Sequence, residues 1–182
     1  MRSALPPLFF LLALACSSTV TPRENVTKAD TADQVMWKMS IQLTENGVLR
    51  SFVEADTAYL FQNQQITDFR GLRIRFVDPQ TGNTKSTLTA QRGIYNTLAG
   101  KLDARGQVLV ETTDGRKLRT PHLIYDKTSN RVESDSAFTY ESGTETGSGK
   151  SFTSDIDFKN LTVIEPKGFQ KGKGIVLPRP GQ

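Results

Sequence analysis

The chain has 182 residues, room for one domain with short extensions, and its 36% hydrophobic and 23% charged residues suit a globular fold. Fourteen Gly, eight Pro and a single Cys exclude a collagen-like repeat, a disulfide scaffold and a multi-Cys metal site. One His leaves little for a His-paired nucleophile, and a net charge of +4 suits acidic partners without selecting one.

The first element is a sorting signal. Met1-Arg2-Ser3 is short and basic, and Leu5 to Ala15 is apolar apart from Pro6-Pro7. Residues 1–15 are therefore expected to be a signal peptide, since the run is too short to span a bilayer as a helix. Leu12-Ala13-Leu14-Ala15-Cys16 resembles the lipobox of bacterial lipoproteins, so Cys16 is the expected lipid attachment site. A plain secretory signal with an incidental Cys is the alternative. A partnerless thiol in an oxidising compartment would be a liability, which supports lipidation. Without residues 1–15 the charge becomes 22 − 19 = +3. Residues 16–33 are rich in Ser, Thr, Asp, Glu and Lys and are expected to form a flexible tether.

The remaining elements are strands. From Gln34 to Thr44 the residues Val35, Trp37, Met39, Ile41 and Leu43 alternate with polar ones, and Met36 alone blurs the pattern. Period two over this length predicts a strand with one buried face. Asn46-Gly47 and Asp114-Gly115 are hairpin signals. Leu72-Ile74-Phe76, Val108-Val110, Phe138-Tyr140 and Ile156-Phe158 give further two-residue spacings. With turn signals at short intervals, residues 34–164 are expected to form one all-β domain. Leu88 to Asn96 aligns without gaps to Leu118 to Asp126, with Val53 to Leu60 a poorer third copy, which suggests a repeated hairpin unit. Gly71 and Gly106 are expected to open the strands that follow the first two units.

Several motifs are weighed and set aside. Thr144 to Ser151 lacks the first Gly of a phosphate-binding loop, and no strand–helix pair flanks it, so Gly147 and Gly149 are expected in a turn. His122 after Pro121 is expected at a surface or edge. The Asp and Glu residues form no evident acid–base pair. Arg73 and Arg75 share the face opposite Ile74 and Phe76, which places them either on a solvated outer face or at a groove rim. No cofactor and no metal is expected. Residues 165–182, with three Pro, are expected to be a disordered basic tail.

The motifs Leu88-x-Ala-x-x-Gly-x-Tyr, Leu102-x-Ala-x-Gly-x-Val108, Asp114-Gly-x-x-Leu118-x-Thr, Leu123-x-Tyr-Asp126 and Gly147-x-Gly149 follow in order. Together they resemble the LptC family of lipopolysaccharide-export proteins, related to the periplasmic bridge proteins of that pathway. The family's usual anchor is a transmembrane helix, where this chain has a lipobox. The resemblance implies an elongated, twisted, open β-jellyroll of antiparallel strands, without enzymatic activity. It implies a groove for lipid A acyl chains, for which Val35, Trp37, Met39, Ile41, Leu43, Leu72, Ile74, Phe76, Val108, Val110 and Phe138 are the candidates. The implied partners are lipopolysaccharide, an inner-membrane ABC transporter near Gln34–Thr44, and an LptA-type bridge protein. The bridge protein would meet an apolar edge strand carrying Ile156, Phe158, Leu161 and Val163. The expected location is the periplasmic face of the inner membrane, lipid-anchored, with the outer membrane as the alternative. Export argues against nucleic acid. The competing functional reading is an outer-membrane structural lipoprotein that works through protein contacts and has no lipid site.

Overall fold

The computed structural model describes residues 28–143 and 145–168. The expected signal peptide, Cys16, the tether up to residue 27 and the tail from residue 169 lie outside the described residues. A single turn of helix, α1 (Lys28–Thr31), precedes eleven strands. The first six are long: β1 (Gln34–Glu45), β2 (Val48–Phe61), β3 (Ile66–Val77), β4 (Thr84–Asn96), β5 (Lys101–Thr112) and β6 (Arg116–Asp126). The rest are short: β7 (Arg131–Ser134), β8 (Phe138–Ser142), β9 (Glu145–Gly149), β10 (Ser151–Asp155) and β11 (Thr162–Ile164).

All strands join one antiparallel sheet, and consecutive strands β1 to β7 are neighbours. β7 and β8 both pair with β6, one with each half of it, while β9 pairs β8 and β10 pairs β7. β7 with β8, and β9 with β10, are thus single passes broken in the middle, so eleven strands make nine passes of a simple meander. Short loops suffice for such a path. Asn46 and Gly47 both have positive φ (52° and 78°), the type I′ geometry that a two-residue hairpin needs. The Asp114-Gly115 turn is longer by one residue, with Gly115 at φ 90° and its N–H donating to the Thr112 carbonyl.

A crease crosses every pass near its midpoint and folds the sheet into two facing walls. Lys38, Gly71, Gly106, Gln107 and Glu165 have φ values of 50°, 61°, 76°, 48° and 49°. The ladder skips between Arg70↔Arg92 and Leu72↔Ala90 and between Arg105↔His122 and Val108↔Thr120. Pro121 falls in the second gap, where no ladder hydrogen bond is asked of it. In place of the ladder, the Ser134 hydroxyl donates to the His122 carbonyl (2.7 Å) and lies 3.0 Å from the Thr120 hydroxyl. Gly71 and Gly106 are therefore mid-strand residues at the fold line, not strand openers. Wall I holds the β1, β3 and β5 residues before the crease, those of β2, β4 and β6 after it, and β7, β10 and β11. Wall II holds the remaining halves with β8 and β9.

The crease also shifts the side-chain alternation by one. Inward positions are Leu88, Ala90, Gly93 and Tyr95 on β4, and Leu118, Thr120, Leu123 and Tyr125 on β6. The repeat noted in the sequence is this two–three–two spacing, shared by Val53, Ala55 and Ala58 on β2. Between the walls, Leu72, Leu88, Val108, Val110, Leu118 and Leu123 fill a closed core next to the crease. At the β11 end Phe138 meets Phe152 edge to face (centroids 4.8 Å apart) and Phe158 lies tilted against Phe152 (6.3 Å).

Gly147 and Gly149 lie within β9, not in a turn. A Cβ on Gly149 would stand 2.5 Å from Val163 and 2.8 Å from Phe138. Gly149→Val is expected to overpack this contact and cost ~1–3 kcal/mol, read as a lower urea midpoint at unchanged slope.

Candidate functional site

The walls part at the β1 end and leave a cavity of about 770 Å³ between them. Wall II contributes Met39, Ile41, Leu43, Val53, Ile74 and Phe76, and wall I contributes Met36, Phe69, Tyr95, Leu102 and Tyr125. That volume is within the ~300–1,000 Å³ common to small-molecule sites. The Phe76 and Tyr125 rings meet edge to face across the slot, 6.1 Å apart at 72°. Beyond them the walls close.

The expected groove residues divide. Met39, Ile41, Leu43, Ile74 and Phe76 line the cavity. Leu72, Val108, Val110 and Phe138 are buried in the closed packing and do not line it. Val35 and Trp37 are on the other face. The positive φ at Lys38 slips the alternation of β1, so Met36 turns inward opposite Ala58 while Trp37 points out, 70% exposed. The residue that blurred the pattern, Met36, is the one the slot uses. Its spacing of three from Met39, matching Ala55–Ala58 and Ala90–Gly93, is the signal that could have shown it.

The expected apolar edge strand is also corrected. Ile156 to Asn160 is a turn, Phe158 (φ 52°) and Leu161 are buried in the core, and Ile156 borders the cavity. Of the four residues named, Val163 alone belongs to an edge strand, and its side chain is buried. That edge is β11, extended by a two-way backbone pairing of Lys167 with Ser148. The start of the expected tail is therefore part of the sheet. The 156–161 turn borders the rim of the slot at this end: Asp157 binds Lys85 of wall II (3.0 Å), and Arg116 donates to the Phe158 carbonyl (2.9 Å).

Polar clusters decorate the outer faces. Arg75 pairs with Glu54 (3.3 Å) and lies 4.5 Å from the centre of the Phe52 ring, so it is on the solvated face and not at the rim. His122 is not a surface residue. Its ring is 11% exposed and wedged between Asp103 (3.2 Å) and Asp135 (2.9 Å). Burial pushes the Asp103 carboxyl up, but Arg105 and His122 outweigh it and hold the group below its ordinary value. Asp103 is also held by Arg105 (2.7 Å), so the ring and both carboxylates form one packed cluster.

The last residues of the expected tether are also fixed. One isolated helical turn is not stable in water, yet Lys28 of α1 reaches the buried Asp68 of β3, which Arg92 also grips at 2.7 Å. Burial raises the Asp68 pKa, and the hydrogen bonds and charges of Arg92 and Lys28 lower it by more. A depressed carboxylate stabilises the fold above the unfolded value of ~3.9, and that stability is lost as pH falls through the lower folded value. Acid should therefore release the Lys28 contact below about pH 4, seen as a shift of the Lys28 and Ala32 NMR signals. Asp68→Asn should show the released signals at neutral pH.

Together these features define an open β-jellyroll with an apolar slot and, among the described residues, no metal-ligand cluster. The profile of the LptC-related lipopolysaccharide-assembly family matches residues 8–166, and the chain belongs to that family. Membership assigns it a role in lipopolysaccharide transport, as a transport component and not an enzyme. Among solved structures it is similar to LptH, the LptA-homologous periplasmic component of the conserved lipopolysaccharide transport device from Pseudomonas aeruginosa. That match has 18% identity and a TM-score of 0.50, covers 72% of this chain and 90% of the other, and bears on the fold. No curated protein matches the chain.

The outward placement of Trp37 has a direct optical test. Its emission should sit near that of a water-exposed indole and be readily quenched by acrylamide. A blue, protected spectrum would put Trp37 back on the slot face.

Proposed function

We propose that this chain is the membrane-anchored periplasmic component that receives lipopolysaccharide from an inner-membrane ABC transporter. It holds the lipid A acyl chains between its walls and passes the molecule to an LptA-type bridge protein. The observation that carries this reading is the apolar slot open at the β1 end. Each methylene buried there contributes ~0.8 kcal/mol, so a few acyl chains hold a lipid without any reactive group.

The anchor in this reading is a lipid on Cys16, which keeps the chain at the periplasmic face of the inner membrane. The two free sheet edges are the docking strands. Among the described residues β1 pairs with β2 alone, so the outward backbone groups of this twelve-residue strand are open, a template for a strand of the transporter. At the other end β11 offers its outer side to the bridge protein. Stacking of this kind would set slot beside slot along one continuous sheet.

Met39→Asp tests the slot. A carboxylate there is unpaired among apolar side chains, so lipid A should bind the full-length variant about tenfold or more weakly. Gln42→Asp, on the outward face of the same strand, should bind like wild type. Equal binding by both variants, with far-UV spectra intact, would favour the structural lipoprotein that acts through protein contacts and has no lipid site.

A further inference from the structure

We propose that the mouth of the slot carries a binding site for phosphate monoesters, built from Arg50, Lys85 and Lys127. This rests on the lipid-slot reading above and deepens it by naming what part of the amphiphile the rim selects. The three cations border the same cavity as the apolar walls. They stand on both lips of the mouth: Arg50 and Lys85 on wall II, Lys127 in the β6–β7 turn of wall I. An amphiphile with its chains between the walls must leave its headgroup at this position.

Each cation already has a carboxylate partner, and these partners show what the cations select. Glu45 is shared between Arg50 (3.5 Å) and Lys127 (3.4 Å), and Asp157 takes Lys85 (3.0 Å). Two carboxylates thus face these three cations, and Asp157 also takes Lys159 from outside the cavity (3.8 Å), which leaves a net positive charge at the mouth. The Glu45–Lys127 and Asp157–Lys85 pairs also tie one wall to the other. All five side chains are between a quarter and just over half exposed, and such pairs are weak and exchange readily. A phosphate monoester carries roughly −1.5 to −2 charges and three acceptor oxygens. It outcompetes a single carboxylate for the same lysine, and its arrival would cut the two ties and let the lips part.

Other cations do not share this geometry. Arg75, Arg105 and Arg119 are paired on the outer faces with Glu54, Asp103 and Glu141, away from the cavity. Charge alone does not distinguish the mouth; charge beside an apolar slot does.

The test compares dissociation constants of the full-length chain for lipid A with both phosphates and for the same lipid A with them removed. Wild type should prefer the phosphorylated form about tenfold. K85Q/K127Q should lose that preference, read as the ratio of its two dissociation constants. E45Q/D157N should widen the preference, because the competing carboxylates are gone. Equal affinities in wild type, or a preference that survives K85Q/K127Q, would overturn the site while leaving the slot standing. Binding of neither lipid would remove the lipid reading and this site with it. Inorganic phosphate that abolishes the preference at the lipid's own concentration would reassign the cations to free phosphate.

Discussion

The structure depends on the crease. A flat antiparallel meander of nine passes would expose one apolar face along its whole length. Bending every pass at the same place turns that face onto itself and makes a core from a single sheet. The bend requires residues that accept positive φ, and Gly71 and Gly106 do so freely while Lys38, Gln107 and Glu165 do so against a cost of ~1–2 kcal/mol each. Those costs are local. The burial they permit, from Leu72 to Leu123 across four strands, is spread over the whole core.

The same bend explains why the two ends differ. Near β1 the lips are held by exposed ion pairs, and the inward side chains do not meet until Phe76 and Tyr125. Near β11 the turn at 156–161 folds into the gap and puts Phe158 against Phe152. One end is a slot and the other a plugged core, although both are built from the same walls. The apolar slot reaches from β1 across to Ile156 and Asp157, which stand at its rim.

Electrostatics divide by face. Outside, charged pairs such as Arg105–Asp103 and Arg119–Glu141 keep the long strands soluble. The Lys28–Asp68–Arg92 cluster does more, since it fastens α1 onto β3 and β4 of wall I. Along the slot, the charged side chains among the described residues stand at the lips. An apolar slot with cations at its opening is the complement of an amphiphile with acidic headgroup charge.

The amino-acid sequence by itself determined the strands, the hairpin at Asn46-Gly47 and the all-β class, because alternation and turn chemistry are local and survive in any context. It also carried the repeat and the family motifs, whose glycines turned out to serve the crease and the tight packing at Val163. Only the tertiary structure decided which face of β1 looks inward. A single positive φ at Lys38 inverts every assignment before it, so Val35 and Trp37 left the slot and Met36 entered it. Tertiary packing likewise turned Phe158 and Leu161 from an expected edge into a plug, since an apolar residue does not announce whether it will meet a partner or its own core. Cations at the mouth were beyond any reading along the chain: Lys85 and Lys127 are far apart in sequence, and they share a rim because the sheet folds.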